Sequence, residues 1–149
     1  MREWRQAGRY RYIGITHWRP GAQDALVPVM ENEKGDFVQF QYNIEERSAE
    51  DSILRVAADR GIATMINVPF GRGRLFKQTE GKEIPEWAAE FAESWGQFYL
   101  KFILSHPAVT CIIPATNKPH HMVDNAGAGR GRLPDAKERQ RMIDYVESI

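Results

Sequence analysis

The sequence predicts an α/β fold, a parallel β-sheet flanked by helices, with any ligand expected beyond the C-terminal ends of the strands. Three observations predict it. Four short apolar or alternating runs, at residues 10–16, 36–42, 63–68 and 109–113, have the β-branched and aromatic character of strands. Helical spacing fills the intervals between them, so successive strands are joined by right-handed crossovers. Polar turns rich in Gly and Pro follow the strands, as they must where the chain leaves a sheet. With 149 residues the chain reads as one domain, large enough for a core.

Residues 1–7 have the character of the last turns of a helix stopped by Gly8, so the chain reads as beginning mid-motif. The first strand, residues 10–16, carries Gly14 as the mark of a close backbone approach and leaves His17 and Trp18 just past its end. Residues 22–33 predict a weak helix, because Pro28 lies inside the apolar pattern. In the second strand, residues 36–42, alternation puts Phe37, Gln39 and Gln41 on one side and Val38, Phe40 and Tyr42 on the other. Residues 48–60 form the strongest helical pattern, with Ser48 and Asp51 as its cap, an apolar face at Ile53, Leu54, Val56 and Ala57, and Gly61 as its stop. The third strand, 63–68, is closed by Pro69. Pro85 then opens a long helical region in which Trp87, Phe91, Trp95, Phe98 and Phe102 make an aromatic stripe, expected in the core. After the fourth strand come a short helix, a link containing Gly127, Gly129 and Gly131, and a last helix over 134–147.

Composition excludes several functions. Twenty Lys and Arg balance twenty Asp and Glu, so no charge excess points to nucleic acid or an anionic membrane. The single cysteine, Cys111, sits in an apolar run and reads as a small hydrophobe; there is no disulfide framework and no metal-ligand spacing. The longest apolar runs are too short to span a bilayer, and the first residues have no apolar signal core, so a soluble cytoplasmic protein is expected.

Two stretches carry candidate chemistry. Residues 109–113 read as a strand buried on both faces and ended by Pro114; Thr116, Asn117, Lys118, His120 and His121 follow, and Pro119 is placed to start a helix through Asn125. A helix start with free N–H groups, a hydroxyl and an ammonium is an anion site in outline. Residues 70–76 hold Gly71, Arg72, Gly73 and Arg74, either a loop that wraps a phosphate or an ordinary flexible turn.

Four pieces in order, Tyr12-Ile-Gly-Ile-Thr-His-Trp18, Val38-Gln-Phe-Gln-Tyr-Asn43, Pro69-Phe-Gly-Arg-Gly-Arg-Leu75 and Ile113-Pro-Ala-Thr-Asn-Lys-Pro-His-His-Met-Val-Asp-Asn125, resemble the aldo-keto reductase family. The resemblance covers essentially the whole chain but only the second half of that family's eight-stranded (β/α) TIM barrel, strands five to eight. It implies a parallel four-stranded half-barrel, paired in an oligomer or flattened to a flavodoxin-like open sheet. The catalytic tetrad belongs to the missing half, so no catalytic residue is assigned here. The cofactor half remains. The resemblance places Thr16, His17 and Gln39 at the nicotinamide carboxamide and wraps the loop from Pro69 through Gly71 and Gly73 to Leu75 around the pyrophosphate, through accessible N–H groups. It surrounds the 2′-phosphate with Thr116, Asn117 and Lys118, and holds the adenine with Asp124 and Asn125. Asn67 stands where many members stack an aromatic on the nicotinamide, and Ala115 and His121 replace basic residues near the 2′-phosphate, which implies weaker binding of NADP(H) than the family norm.

Half a barrel leaves two strand edges and one sheet face open. A homo-oligomer, a dimer or larger, is therefore expected. Two other readings follow: an oxidoreductase working through a flavin or through groups shared across a subunit interface, with His17 as its proton donor, or a non-enzymatic fragment that needs a partner chain.

Overall fold

The computed structural model describes residues 1–33 and 35–149. Its strands are β1 (Gly14–His17), β2 (Phe37–Gln41), β3 (Ala63–Asn67) and β4 (Cys111–Ile112), in one sheet of order β1-β2-β3-β4. Every pair is parallel. The helices are α1 (Arg2–Gln6), α2 (Leu26–Asn32), α3 (Ile53–Arg60), α4 (Arg74–Gln78), α5 (Trp95–Leu104), α6 (Pro119–Gly127) and α7 (Ala136–Glu147). Strand order follows chain order, as in a barrel segment. A flavodoxin-like sheet would place β1 inside its neighbours, so that alternative is not adopted.

The period-two pattern of β2 decides which face is covered. Val38, Phe40 and Tyr42 are fully buried, and the register sets Val38 beside Thr64 and Phe40 beside Ile66, also fully buried. Ile53 and Leu54 of α3, Phe98 and Phe102 of α5 and Met142 of α7 complete that core. Each such side chain contributes about 1.5–3 kcal/mol on burial. Phe37, Gln39, Gln41, Met65 and Asn67 face the other way and are only half-buried. Gly14 behaves as expected: a Cβ there would stand 2.5 Å from the Phe37 carbonyl oxygen.

Several boundaries differ from the sequence expectation, each for a local reason. The first strand is ladder-paired only from Gly14, because the Asp36 carboxylate takes the Ile13 N–H at 2.9 Å and ends the ladder there. His17 is thus the last strand residue. The fourth strand is an edge strand of 2 residues, not one buried on both faces; Thr110 and Ile113 are exposed. The predicted helix at 22–33 divides into a 3-10 turn, Pro20–Ala25, and α2, which puts Pro28 in a first turn where its missing N–H costs nothing. Ser48 does not cap α3: its hydroxyl donates to Glu46 and the α-helix begins at Ile53. Gly61 does end α3, at φ 63°.

The long helical region after Pro85 is broken. Glu86–Ala88 is a 3-10 turn, and α5 starts afresh behind Ser94, whose extended backbone and hydroxyl cap the Gln97 N–H. The aromatic stripe survives the break, since Trp87, Phe91, Trp95 and Phe98 still meet edge to face or tilted. Lys101 of α5 is buried and donates to the carbonyls of Arg130 and Arg132, which pins the glycine-rich link. The last helix begins at Ala136 behind a capping box of Asp135 and Glu138.

Candidate functional site

A groove of about 710 Å³ opens at the C-terminal ends of β3 and β4, where a parallel α/β sheet places its ligands. One wall is the loop after β3, with Val68, Phe70, Gly73 and Phe76; the other is Ile113 to Thr116 with His121, Asp124 and Asn125 of α6. Ser94, Trp95 and Gly96, at the start of α5, close the back. The volume suits a drug-sized or nucleotide-sized ligand, and the lining is mostly apolar with a few polar groups, as ligand sites are.

The loop after β3 is tightly wound. Val68 has φ 53°, an outlier for a β-branched residue, and Gly71, Arg72 and Gly73 follow at 55°, 58° and 87°. Its own hydrogen bonds consume the N–H groups of Gly71 and Gly73, given to Val68 and Phe70, and that of Arg74, given to Gly71. The N–H groups of the two glycines expected to face a pyrophosphate are therefore engaged inside the turn. What the loop offers outward is Arg72, whose guanidinium lies 5.0 Å from the Trp18 ring and so links the loop to the end of β1.

The twelve residues expected at a cofactor divide into groups. Gly73, Thr116, His121, Asp124 and Asn125 line the groove together, from segments some fifty residues apart in sequence. Asn117 and Lys118 are exposed on the turn that joins Thr116 to α6, and the Lys118 N–H donates to the Thr116 hydroxyl at 3.2 Å. Pro119 opens α6 as its first residue, as expected. Thr16, His17 and Gln39 lie on β1 and β2, away from the groove, with Thr16 and Gln39 in register on the open face. His17 Nδ1 accepts from the Arg19 N–H at 3.1 Å. Gly71 sits in the loop but does not line the groove. Leu75 is a core residue with no exposed surface, and its carbonyl accepts from Tyr99 at 3.1 Å and Thr79 at 3.0 Å.

Two residues here have side-chain polar atoms without partners among the described residues. Asn67 Oδ1, at the end of β3, is buried and unpaired. The half-buried Asn125 side chain makes no hydrogen bond to protein, while its neighbour Asp124 accepts from Ser94 and Gln97. Behind the groove, Trp95 stacks on Tyr99 at 5.7 Å, and burial pushes the Tyr99 phenol up to about 12. Reading the sequence as one long helix missed Ser94, Trp95 and Gly96 as a wall. The signal was there, since Ser94 followed three residues on by Gln97 is a helix-start pattern.

Fold and groove together define an α/β half-barrel of four parallel strands with a groove at its strand ends. A family model described as the aldo/keto reductase family matches residues 1–143, and the chain belongs to that family. Solved structures agree in fold. The chain superposes on aldo-keto reductase AKR11C1 from Bacillus halodurans in its holo form with TM-score 0.73 and 20% identity, over 97% of this chain and 53% of that one. For the glycerol dehydrogenase AKR11B4 from Gluconobacter oxydans the TM-score is 0.71 at 17% identity, over 98% and 51%. A thermostable aldo-keto reductase in complex with the inhibitor epalrestat gives 0.71 at 23%, over 98% and 52%. The chain thus spans about half the length of these structures. No curated protein matches it. Among the described residues no helix is long and apolar enough to cross a membrane, and no cluster of three or more His, Cys, Asp or Glu could hold a metal.

Proposed function

We propose that this chain is the cofactor-binding half of an aldo-keto reductase: it holds the adenosine-phosphate part of NADP(H) in the groove and does not reduce carbonyls by itself. The observation that carries this reading is the groove, into which five family-matched residues from two distant segments converge. Thr116 and His121 would meet the phosphate on the ribose, Asn125 the adenine, and Arg72 supplies a cation beside the loop. Thr16 and Gln39, side by side on the open face, would receive the carboxamide end, and the unpaired Asn67 Oδ1 adds an acceptor where an aromatic would stack. When bound, the reduced nicotinamide supplies a hydride; the groups that would protonate a carbonyl belong to the half of the barrel this chain does not span.

The same reading places a second four-stranded unit on the open sheet face. Both β1 and β4 are edges of the sheet, and a second copy is the occupant this chain can itself supply. A half-turn about an axis along the strands sets β4 of each copy beside β1 of the other, which restores eight parallel strands in barrel order.

Titration with NADPH tests the cofactor part. Trp95 lines the groove, so its fluorescence should change on binding, and the melting midpoint should rise because only a native-state ligand raises it. If neither changes up to about 1 mM NADPH, where binding is worth only about 4 kcal/mol, the reading is wrong.

A further inference from the structure

A second cavity, of about 320 Å³, lies between α5 and the link that joins α6 to α7, and it shares no lining residue with the groove. Its charged lining is Glu90, Glu93, Lys101, Arg130 and Arg132, with Gly131 between the two arginines. These charges are unequally committed. Arg132 donates to Glu138 at 2.7 and 2.8 Å and to Glu90 at 2.8 Å, so Arg132 and Glu90 are already paired. Among the described residues Lys101, Arg130 and Glu93 form no ion pair.

Lys101 is the costly member of the set. It is only 2% exposed, and its ammonium donates to the carbonyls of Arg130 and Arg132, which occupies two of its three N–H groups but supplies no counter-charge. Burial lowers its pKa below the ordinary lysine value, with Arg132 adding to the shift and Glu93 opposing it. The N–H groups of Gly131 and Arg132 have no acceptor among the described residues. Gly131 also leaves the ammonium uncovered on its own side: a Cβ there would stand 3.7 Å from Lys101 Nζ, so a side chain at 131 would lie against it.

The geometry points to a binding site for a small organic carboxylate in this cavity, with Lys101 as its counter-ion and Arg130 and the Gly131 and Arg132 N–H groups as further donors. A buried ammonium without a carboxylate partner is expensive, and an anion in the adjoining cavity supplies the missing charge. A single negative charge fits better than a phosphate dianion, because Glu90 and Glu93 line the same cavity and repel a second one. The volume is at the small end of the range for ligand sites, about 300–1,000 Å³, and leaves room for an organic body against Ala89 and Phe91. The site stands apart from the dinucleotide reading and does not depend on it.

The test is a titration of the ¹⁵N-labelled chain with benzoate at constant ionic strength, read from the backbone amide signals. The Gly131 and Arg132 signals should move saturably, whereas benzamide, which has the same shape without the charge, and inorganic phosphate should move them little. Lys101→Met keeps the length of the stem and removes the charge, and should weaken benzoate at least tenfold. Glu93→Gln removes an exposed carboxylate that holds no partner, and should tighten benzoate about threefold, the effect of one partly hydrated charge. No saturable shift at Gly131 up to about 50 mM benzoate overturns the site. Equal response to benzamide overturns the anion, and a stronger response to phosphate overturns the carboxylate. Saturable shifts at Gly96 and Asn125 without any at Gly131 put the benzoate in the groove and overturn the site as well. Undiminished binding in a folded Lys101→Met removes Lys101 as counter-ion. Should Lys101→Met fail to fold, Glu93→Gln decides: unchanged or weaker binding there overturns the proposal.

Discussion

Gly14 lies flat against Phe37: the position of a Cβ on residue 14 is 2.5 Å from the Phe37 carbonyl oxygen and 2.8 Å from the Phe37 Cβ. These two residues are register partners in the first ladder, and the obstruction is backbone, which cannot swing aside. Gly14→Ala should therefore push β1 off β2 and lower stability by about 1–3 kcal/mol, the range for overpacked sites. A urea melt of the variant superimposable on the wild type would show that β1 can shift without loss.

Arg139 of α7 ties four residues together from one guanidinium. It donates to Glu50 at 2.8 Å, to the Tyr42 hydroxyl at 3.0 Å, to Ser105 Oγ at 2.8 Å and to the Phe102 carbonyl, while stacking 4.2 Å over the Phe102 ring. Arg139→Ala should cost about 2–4 kcal/mol, toward the lower end because Glu50 is partly exposed and can rehydrate. Arg139→Lys should recover little, since a single ammonium cannot serve these acceptors or stack as a plane. Full recovery by Lys, measured by chemical unfolding, would reduce the site to a simple ion pair.

His106 should make stability fall in acid. Burial lowers its pKa below the ordinary 6.5, with Glu50 opposing and Arg139 adding to the shift. Its Nδ1 accepts the Ala108 N–H at 3.2 Å, a bond that needs the neutral ring. The unfolded chain therefore takes up the proton first, and stability drops as pH falls from about 6.5 through the folded pKa. Unfolding midpoints at pH 7, 6 and 5 should decline less in His106→Gln than in the wild type; parallel declines would assign the acid sensitivity elsewhere.

The solution mass of the chain expressed alone should be that of a dimer or a larger even assembly. Phe37 and Met65 face the open side of the sheet, and two strand edges carry unpaired backbone groups. Light-scattering chromatography decides it: a folded monomer at micromolar concentration would remove the proposed second copy.

Much of the fold was legible because it depends on local chemistry. Alternation in β2 separated Val38 and Phe40 from Gln39 and Gln41 correctly, Gly8 and Gly61 occupy left-handed positions at helix ends, and Pro119 opens α6. Less legible were features where a side chain competes with the backbone, such as Asp36 ending the first ladder at Ile13 and Ser94 restarting a helix inside an aromatic stripe. Of the candidate site, the stretch Thr116 to Asn125 was found from its pattern, whereas Trp95, which lines the groove, was read as core.

The sequence by itself determined the order of the four strands and the buried faces of β2 and α3, because periodicity, caps and turn residues act over a few positions and are written in order, while four separate motifs carried the resemblance to the family. Only the tertiary structure decided which partners the candidate residues have. It engaged the Gly71 and Gly73 N–H groups within their own loop, buried Leu75, joined Asp124 to the start of a helix thirty residues earlier and left the Asn125 side chain without a partner among the described residues. Those assignments depend on which donors and acceptors meet across the fold, and hydrogen-bond partners distant in the chain have no signature in the spacing of either residue.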